Sequence, residues 1–406
     1  MNPESILSLL APPGAEALSE ACALFSPGSE LALVAKLRKR YDATVVTAAV
    51  TQASLRHRAV AKFGADDAGR MYFTPDGLEQ ATRTTVGVHR ARRLASVLPG
   101  ASVVDLGCGI GGDLIAMARA GLTVTGVERD EATAEAARAN LATLGLPGTV
   151  ITGDVQSIDL TPYDAVFADP ARRSEGRRLF DPNAYSPPWS FVTSLLEGTA
   201  CVKLAPGIPH DAVPEGVEAE WVSDAGEVKE AALWSGPLAS PTPRRATLLG
   251  LPTSPLPDAI GSGDADAFAG VVTVTEAPEA VVGAVGRYIY EPDGAIVRAG
   301  LVTAVAVAVD GWLLDPRIAY VTGDTYVQTP LASAYEVLGE VPYKEKALRA
   351  WVRSEGIGTI EIKKRGIDVD PAQLRRKLTP KGPASATLII TRIGRDAVAY
   401  TCRRLP

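Results

Sequence analysis

Short apolar runs alternate with helical patterns through the middle of the chain, and this alternation predicts an α/β fold. Four of the runs have the length of buried strands: Val103–Leu106, Leu122–Glu128, Thr149–Val155 and Tyr163–Pro170. Between them, Asp113–Ala120 and Glu131–Leu144 repeat apolar residues every three to four positions, as helices do. Strands that alternate with helices in this way predict a parallel, Rossmann-like sheet.

The residues before this sheet have a helical pattern throughout. Leu31–Tyr41 and Val45–Phe63 show apolar residues at helical spacing, and we expect an acidic loop at Gly64–Asp67. Thr74 precedes a proline and fits a helix N-cap, which predicts a helix that runs from there toward Val88.

After the fourth run, Thr199–Gly207 predicts a fifth strand. Later antiparallel strands are indicated at three segments: Glu218–Val222, Glu230–Trp234 and Arg245–Leu249. Pro237–Pro257 is rich in proline, serine and threonine, which places the end of this domain near residue 250. Beyond it we expect a helix at Ala277–Tyr288 and an apolar run at Gly300–Val309.

The last part of the chain predicts a small α+β module. Its elements are a strand at Tyr335–Val341, a basic amphipathic helix at Lys344–Gly356, a strand at Thr359–Gly366, a helix from Asp370 through Leu378, and a hairpin of Ala386–Arg392 with Ala397–Arg403. The pattern therefore predicts four parts: an N-terminal helical region (1–88), a catalytic α/β domain (89–250), a connecting α/β region (251–334) and the C-terminal module (335–406).

Composition narrows the class of protein. The 406 residues are 46% hydrophobic and 22% charged, which is typical of a globular chain of two or three domains. Four dispersed cysteines and three histidines signal neither a disulfide framework nor a metal site. The longest apolar run, Leu301–Val309, is too short to cross a bilayer, and the N-terminus is unlike a signal peptide, so we expect a soluble, cytoplasmic protein.

Charge is unevenly distributed along the chain. Residues 340–406 carry 15 Lys and Arg against 7 Asp and Glu, or +8, whereas the whole chain carries −6. A basic segment on an acidic chain indicates a polyanionic partner, with a merely solvated basic face as the alternative.

The loop after the first strand carries the most specific motif. Gly107, Gly109 and Gly112 satisfy the G-x-G-x-x-G fingerprint of dinucleotide sites, while Asp105, Gly107, Gly109 and Gly111 give Asp-x-Gly-x-Gly-x-Gly. A carboxylate beside a pyrophosphate would weaken its binding, but it suits the ammonium and sulfonium of S-adenosylmethionine. In this form the loop resembles motif I of class I S-adenosylmethionine-dependent methyltransferases; the alternatives are a dinucleotide site and an ordinary glycine-rich turn.

The acids that end the next strands extend this resemblance. Glu128, Asp154 and the pair Asp169-Pro170 follow the glycine loop in the order and spacing of that family. The resemblance implies that Asp105 holds the methionine end of the cofactor and Glu128 its ribose. It also implies that Asp154, with Val155 beside it, contacts the adenine, and that Asp169 and Pro170 form the catalytic motif that orients or deprotonates the acceptor.

The residues after Pro170 depart from the Asp/Asn-Pro-Pro-aromatic motif common in methyltransferases of base nitrogens. Ala171 and Arg172 stand in place of the second proline and the aromatic residue, which leaves base-nitrogen chemistry open. Arg172 and Arg173 suit phosphate oxygens or an RNA base, or they brace a loop. Ser186–Trp189 reads Ser-Pro-Pro-Trp, but we interpret it as a helix entry because no strand is predicted before it.

Cys201 resembles the nucleophile of pyrimidine C5 methyltransferases only weakly. Its position at the start of a strand favours a buried core thiol.

Both ends of the chain add further resemblances. The segment from Arg56 through Thr74 resembles the one before the core of trimethylguanosine synthase-like methyltransferases, which implies that Tyr72, Phe73 and Thr74 help to close the cofactor pocket. Residues 335–406 resemble a THUMP-like domain. This implies an RNA grip, with tRNA or rRNA as the partner, through a set of cations: Lys363, Lys364, Arg365, Arg375 and Arg376.

These observations leave three hypotheses for function. The first is an S-adenosylmethionine-dependent methyltransferase that acts on structured RNA at a base nitrogen. The second is a small-molecule methyltransferase, and the third is a non-catalytic RNA-binding protein that retains the cofactor fold. The oligomeric state is left open.

Overall fold

A computed structural model describes residues 2–172, 185–251 and 271–406 of the chain, with the side chain of Arg172 left out. The chain divides into two compact units, one formed by residues 1–219 with 230–243 and the other by residues 220–229 with 244–406. Each unit is considered by itself.

The helices are α1 Pro3–Leu10, α2 Pro12–Leu24, α3 Glu30–Leu37, α4 Ala43–Arg70, α5 Pro75–Gln80, α6 Thr84–Val97, α7 Gly112–Arg119, α8 Glu131–Leu144, α9 Trp189–Leu195, α10 Gly294–Ala299, α11 Val302–Ala308, α12 Glu345–Ser354 and α13 Pro371–Leu378. The strands are β1 Ser102–Leu106, β2 Thr123–Glu128, β3 Thr149–Thr152, β4 Ala165–Ala168, β5 Ala171–Arg172, β6 Tyr185–Ser186, β7 Ala200–Leu204, β8 Glu218–Asp224, β9 Glu227–Trp234, β10 Arg244–Leu249, β11 Val272–Val274, β12 Tyr288–Pro292, β13 Trp312–Asp315, β14 Ile318–Gly323, β15 Ala332–Pro342, β16 Ile357–Lys364, β17 Ala384–Ile393 and β18 Asp396–Arg404.

The first unit is built on parallel strands in the order β7-β4-β1-β2-β3, and β9 pairs antiparallel with β7. The central strands β1 and β4 are almost entirely buried, as expected when helices cover both faces of a parallel sheet. The chain leaves β1 toward β2 on one side and returns to β4 on the other. The gap between the ends of β1 and β4 is therefore the switch point at which such sheets bind ligands.

Short polar residues start several helices at the predicted places. Asp130 accepts a hydrogen bond from the Thr133 backbone N–H and so caps α8, which ends at Gly145 in the left-handed conformation. Thr74 caps α5 by accepting from the Gly77 backbone N–H, and Asp370 caps α13 in the same way. The two caps of α8 explain why its predicted and observed bounds coincide.

In the second unit, a seven-stranded sheet has the order β13-β14-β12-β15-β18-β17-β16. Helices α12 and α13 bury Leu348, Val352, Leu374 and Leu378 in a core formed with β16, β17 and β18. The order of elements in residues 332–404 is strand, helix, strand, helix and hairpin, as predicted. The predicted fold class is confirmed: a Rossmann-like sheet with an N-terminal helical region and a C-terminal α+β domain.

Three details of the sequence prediction are wrong. The expected acidic loop after Phe63 is helical apart from Gly64, whose φ of 77° breaks α4 without ending it. The helix expected from Thr74 to Val88 is two helices, because the Lys62 ammonium donates to the carbonyls of Leu78, Glu79 and Ala81 and so ends α5.

The third detail is the helix expected at Ala277–Tyr288, which is instead extended backbone leading into β12. Its glycines explain the difference, since a Cβ on Gly283 would lie 2.8 Å from the Trp312 ring.

Candidate functional site

The glycine loop turns the chain from β1 into α7 at the switch point of the sheet. Gly107, Gly109 and Gly111 have φ values of 91°, 55° and 84°, which side-chain-bearing residues rarely adopt. A Cβ on Gly111 would also lie 3.5 Å from the Cβ of Ala137 in α8, so the loop packs directly on that helix. The loop therefore presents bare backbone at the edge of the sheet, where a ligand can approach closely.

Asp105 is buried next to this loop, at 1% exposure, and neither of its carboxylate oxygens has a hydrogen-bond partner within the described residues. Burial raises its pKa well above the ordinary value, and the nearby carboxylates of Asp113 and Asp169 raise it further. A buried carboxylate without partners is a position where a cationic group, such as the ammonium of an amino acid, would be stabilised. The residues present thus fit the cofactor that the motif implies.

Two further predicted residues lie at the ends of the neighbouring strands. The Glu128 carboxylate accepts hydrogen bonds from the Gly109 backbone N–H at 3.1 Å and the Asp130 backbone N–H at 2.9 Å, so it braces the glycine loop from β2. Asp154 is exposed after β3, where it caps a short 3-10 turn that begins at Val155. Glu128 and Asp154 thus keep their carboxylates at the carboxyl edge of the sheet, where such sheets bind ligands.

An extended segment of the N-terminal region, Met71–Thr74, is fastened to the core by two buried amides. Asn140 of α8 accepts from the Tyr72 N–H and donates to the carbonyls of Tyr72 and Ile110, which belongs to the glycine loop. Gln52 of α4 makes a reciprocal pair of hydrogen bonds with the Phe73 backbone. The N-terminal region is therefore joined to the glycine loop through hydrogen bonds that are buried away from water.

The structure places Tyr72 and Phe73 inside the protein rather than in an open pocket. Phe73 is fully buried and packs on Phe63, whose ring centroid lies 5.6 Å away. Thr74 is also buried, and its hydroxyl is engaged in the cap of α5. The segment Met71–Thr74 therefore supports the glycine loop from inside the protein. The contact between Thr74 and the cofactor stays a prediction.

Asp169 follows β4 on the other side of the switch point. Its carbonyl oxygen lies 3.8 Å from where a Cβ on Gly107 would be, so the Asp169-Pro170 motif and the glycine loop are neighbours. The Asp169 carboxylate is one-third exposed and forms an ion pair with the Lys203 ammonium of β7, at 2.5 Å. Sequence reasoning missed Lys203, although a lysine in an otherwise apolar buried strand is a signal that it could have used.

Further charged residues surround these groups, and sequence reasoning missed them as well. Buried Arg90 of α6 binds both oxygens of Glu230 at 2.5 and 2.7 Å, forms an ion pair with Asp113 of α7, and stacks on the Phe167 ring. We call the following residues the charged cluster: Arg90, Asp105, Asp113, Asp169, Lys203 and Glu230. Even without Asp105, whose raised pKa favours its neutral form, three carboxylates stand against two cations, so the cluster favours a ligand with net positive charge.

The Ser-Pro-Pro-Trp segment requires a correction. It does follow a strand, the two-residue β6, which pairs Ser186 with Ala171 and Tyr185 with Arg172 of β5. The helix entry itself is observed, since α9 begins at Trp189. Arg173 and the side chain of Arg172 lie outside the described residues, and Cys201 is fully buried in the core.

The predicted cations of the second unit are in different environments. Lys363 forms an ion pair with Glu291 at 3.0 Å, and Arg365 approaches Glu291 at 3.6 Å and stacks on Tyr320. Arg375 donates to the Ile360 carbonyl. Two others, Lys364 and Arg376, are exposed, as are Lys346 and Arg353 on α12, and within the described part of the chain none of these four has an ion pair.

The described residues contain neither a membrane-spanning helix nor a group of metal-ligating side chains. No helix among residues 2–172, 185–251 and 271–406 is long and apolar enough to cross a membrane. In the same ranges, no three His, Cys, Asp or Glu side chains are grouped closely enough to hold a metal ion.

Comparison with known proteins gives matches over most of the chain. Residues 103–173 match the family described as Methyltransferase domain, residues 332–404 match THUMP domain-like, and residues 2–59 match a Domain of unknown function (DUF8688). The chain is 37% identical over 363 residues to a protein of Mycobacterium tuberculosis described as an uncharacterized S-adenosylmethionine-dependent methyltransferase, covering 86% of this chain and 94% of that protein.

Two further similarities are of different extent. A stretch of 75 residues, 18% of this chain and 33% of the other, is 39% identical to the protein-L-isoaspartate O-methyltransferase of Methylorubrum extorquens. A solved structure from Porphyromonas gingivalis W83, described as a methyltransferase, is similar over 100% of both chains with a TM-score of 0.74 and 22% identity. That structure shares the fold.

Proposed function

We propose that this chain, which belongs to the class I S-adenosylmethionine-dependent methyltransferases and ends in a THUMP-like domain, methylates a base nitrogen of structured RNA. Its cofactor is S-adenosylmethionine, which supplies a methyl group activated by a sulfonium. The observation that carries the proposal is Asp169 at the switch point of the sheet: its backbone carbonyl neighbours the glycine loop, and its carboxylate pairs with Lys203.

The residues around the loop suit the binding of this cofactor. We assign the methionine ammonium to Asp105, whose oxygens lack other partners among the described residues. Glu128 would accept the ribose hydroxyls, and Asp154 with Val155 would hold the adenine at the end of β3. The excess of carboxylates in the charged cluster favours the cationic cofactor over its uncharged-sulfur product.

The acceptor side of the site suits a group that donates a hydrogen bond. Methyl transfer from a sulfonium is a direct displacement, and holding donor and acceptor in line can supply about 7–11 kcal/mol. The Asp169 carboxylate can orient an N–H and take its proton, whereas it would repel a carboxylate acceptor. The site therefore favours an amino or ring nitrogen over a carboxyl oxygen.

The C-terminal helices supply the argument for RNA. Lys346 and Arg353 of α12 and Arg376 of α13 are exposed and without ion pairs among the described residues. Cations in this state are available to phosphates, which bind them in exchange for released counterions. Such contacts provide affinity without sequence specificity, and the specificity would come from the acceptor site. An enzyme of this kind would act on RNA in the cytoplasm.

The test is transfer of tritium from labelled S-adenosylmethionine to total bacterial RNA. We expect label in RNA with the wild type and a loss of about 10²-fold or more with Asp169→Ala, while cofactor affinity changes little. Asp164→Asn is the matched control, because Asp164 lies at the opposite end of β4, where its carboxylate accepts hydrogen bonds from Ser102. Cofactor binding without label in RNA would indicate a small-molecule acceptor and contradict the proposal.

The RNA grip is tested separately by the salt dependence of binding. Replacing Arg353 and Arg376 together by Gln should reduce the salt slope of RNA binding by about one to two, since each phosphate contact contributes about 0.7–0.9 to it. The control is Arg119→Gln in the first unit, where the arginine is paired with Asp67. An unchanged slope would place the RNA contact elsewhere.

A further inference from the structure

Lys203 occupies a position where a lysine is unusual. It is the fourth residue of β7, whose other four residues are apolar or a thiol and are buried. β7 pairs in parallel with β4, so that Cys201 lies opposite Phe167 and Val202 opposite Ala168. Continuing this register brings Lys203 opposite Asp169, at the carboxyl edge of both strands.

The contacts of Lys203 join the acceptor side of the site to the cofactor side. Its ammonium donates to Asp169 Oδ2 at 2.5 Å and to Thr82 Oγ1 at 3.1 Å. The Thr82 hydroxyl in turn donates to Asp113 Oδ2 at 2.9 Å, and Asp113 lies in the first turn of α7, directly after the glycine loop. The ammonium is thus the centre of a short chain of hydrogen bonds that runs from Asp169, after β4, to Asp113, after the glycine loop.

The surroundings keep this lysine charged. Burial by itself would lower the pKa of the Lys203 ammonium, but the carboxylates of Asp169, Asp113 and Glu230 outweigh it and raise the pKa above its ordinary value. A lysine in this state is neither a base nor a nucleophile, and what it offers is a fixed positive charge with directed N–H groups. The charged groups that face it are Asp169 after β4, Asp113 on α7, Glu230 on β9, Arg90 on α6 and Lys62 on α4.

We propose that Lys203 is a positioning residue for methyl transfer: it fixes Asp169 Oδ2 and leaves Oδ1 for the N–H of the acceptor nitrogen. This role rests on the proposed function, since it acts through Asp169. Thr82 shares it by holding the ammonium from the side of the glycine loop.

The experiment compares Lys203→Met, which has a similar length but no charge, with Lys203→Arg, which retains the charge. Lys229→Met is the matched control, since Lys229 also pairs with a carboxylate, that of Glu227, which is 76% exposed. Cofactor affinity is measured by calorimetry, and kcat and KM by tritium transfer to total bacterial RNA.

We expect Lys203→Met to lower kcat about 30-fold or more, while the cofactor Kd and the RNA KM change less than about threefold, because the proposed role acts through Asp169. Lys203→Arg should recover at least about tenfold of the loss, and Lys229→Met should match the wild type.

Each other outcome points to a different failure. If the wild type labels RNA and Lys203→Met keeps kcat within threefold, the role of Lys203 is wrong and the proposed function stands. Equal losses of kcat and cofactor affinity, with no recovery in Lys203→Arg, would make the lysine merely structural and overturn the role. A wild type that labels no RNA would overturn the proposed function, and this role with it.

Discussion

Replacing Arg90 by Met tests whether the charged cluster holds the first unit together. The guanidinium is buried and binds both oxygens of Glu230 as well as Asp113, so the variant leaves two carboxylates without their cation. Breaking a buried ion pair by removing one partner typically costs about 3–5 kcal/mol. For units of 150–250 residues this lowers Tm by roughly 2–4 °C per kcal/mol, or about 6–20 °C in total.

Scanning calorimetry of the variant beside the wild type measures this loss directly. The control is Arg119→Met, which removes an arginine that binds both oxygens of Asp67 but is more than one-third exposed, and which should cost no more than about 1 kcal/mol.

A loss in Arg90→Met no larger than the loss in Arg119→Met would refute this reasoning. It would mean that the ion pairs of Arg90 are not buried in the way the structure shows.

Three further predictions follow from the site. Asp105→Asn should raise Tm at pH 8 more than at pH 6 and weaken cofactor binding about tenfold or more. Burial raises the pKa of Asp105, so the folded state loses stability as the pH rises from about 4 through the raised pKa. Asn removes that loss because it does not ionise. Equal Tm gains at both pH values, or unchanged cofactor affinity by calorimetry, would contradict it. Asn140→Leu should cost about 1–3 kcal/mol in urea unfolding, because the backbone groups of Tyr72 and Ile110 lose their buried partner, and a cost below 0.5 kcal/mol would argue against the clamp. Gly77→Ala should destabilise the protein by about 1–3 kcal/mol, since the new Cβ would lie 2.5 Å from Ile110 Cγ2. The control Gly69→Ala, with open space around it, should be neutral or stabilising. The reverse order of the two variants in thermal unfolding would be incompatible with α5 packing on the glycine loop.

The parts of the fold that the sequence predicts well are those with local causes. The bounds of α8 follow from Asp130 before it and Gly145 after it, and β1 and β4 follow from apolar runs that only a buried strand explains. The same holds for the α13 start at Asp370. In each case the signal and the structure lie within the same few residues.

The parts that the sequence misses depend on contacts between distant residues. Lys203, Thr82 and Asp113 are brought together by the register of β7 with β4 and by the N-terminal region, and no local pattern encodes that meeting. Gly64 breaks α4 without ending it. The helical turns after Gly64 contain Asp67, which is held by its ion pair with Arg119. The pairing of Ser186 with Ala171 likewise joins two segments that are separate in the chain.

The most direct test of the central claim is the identity of the methylated nucleoside. RNA labelled by the wild type is digested to nucleosides, and the tritiated product is identified by chromatography and mass spectrometry beside RNA treated with Asp169→Ala. A site whose carboxylate accepts an N–H predicts one product with the methyl group on a base nitrogen, absent from the variant. A methyl group on the ribose oxygen or on a base carbon, or no labelled nucleoside at all, would contradict the account.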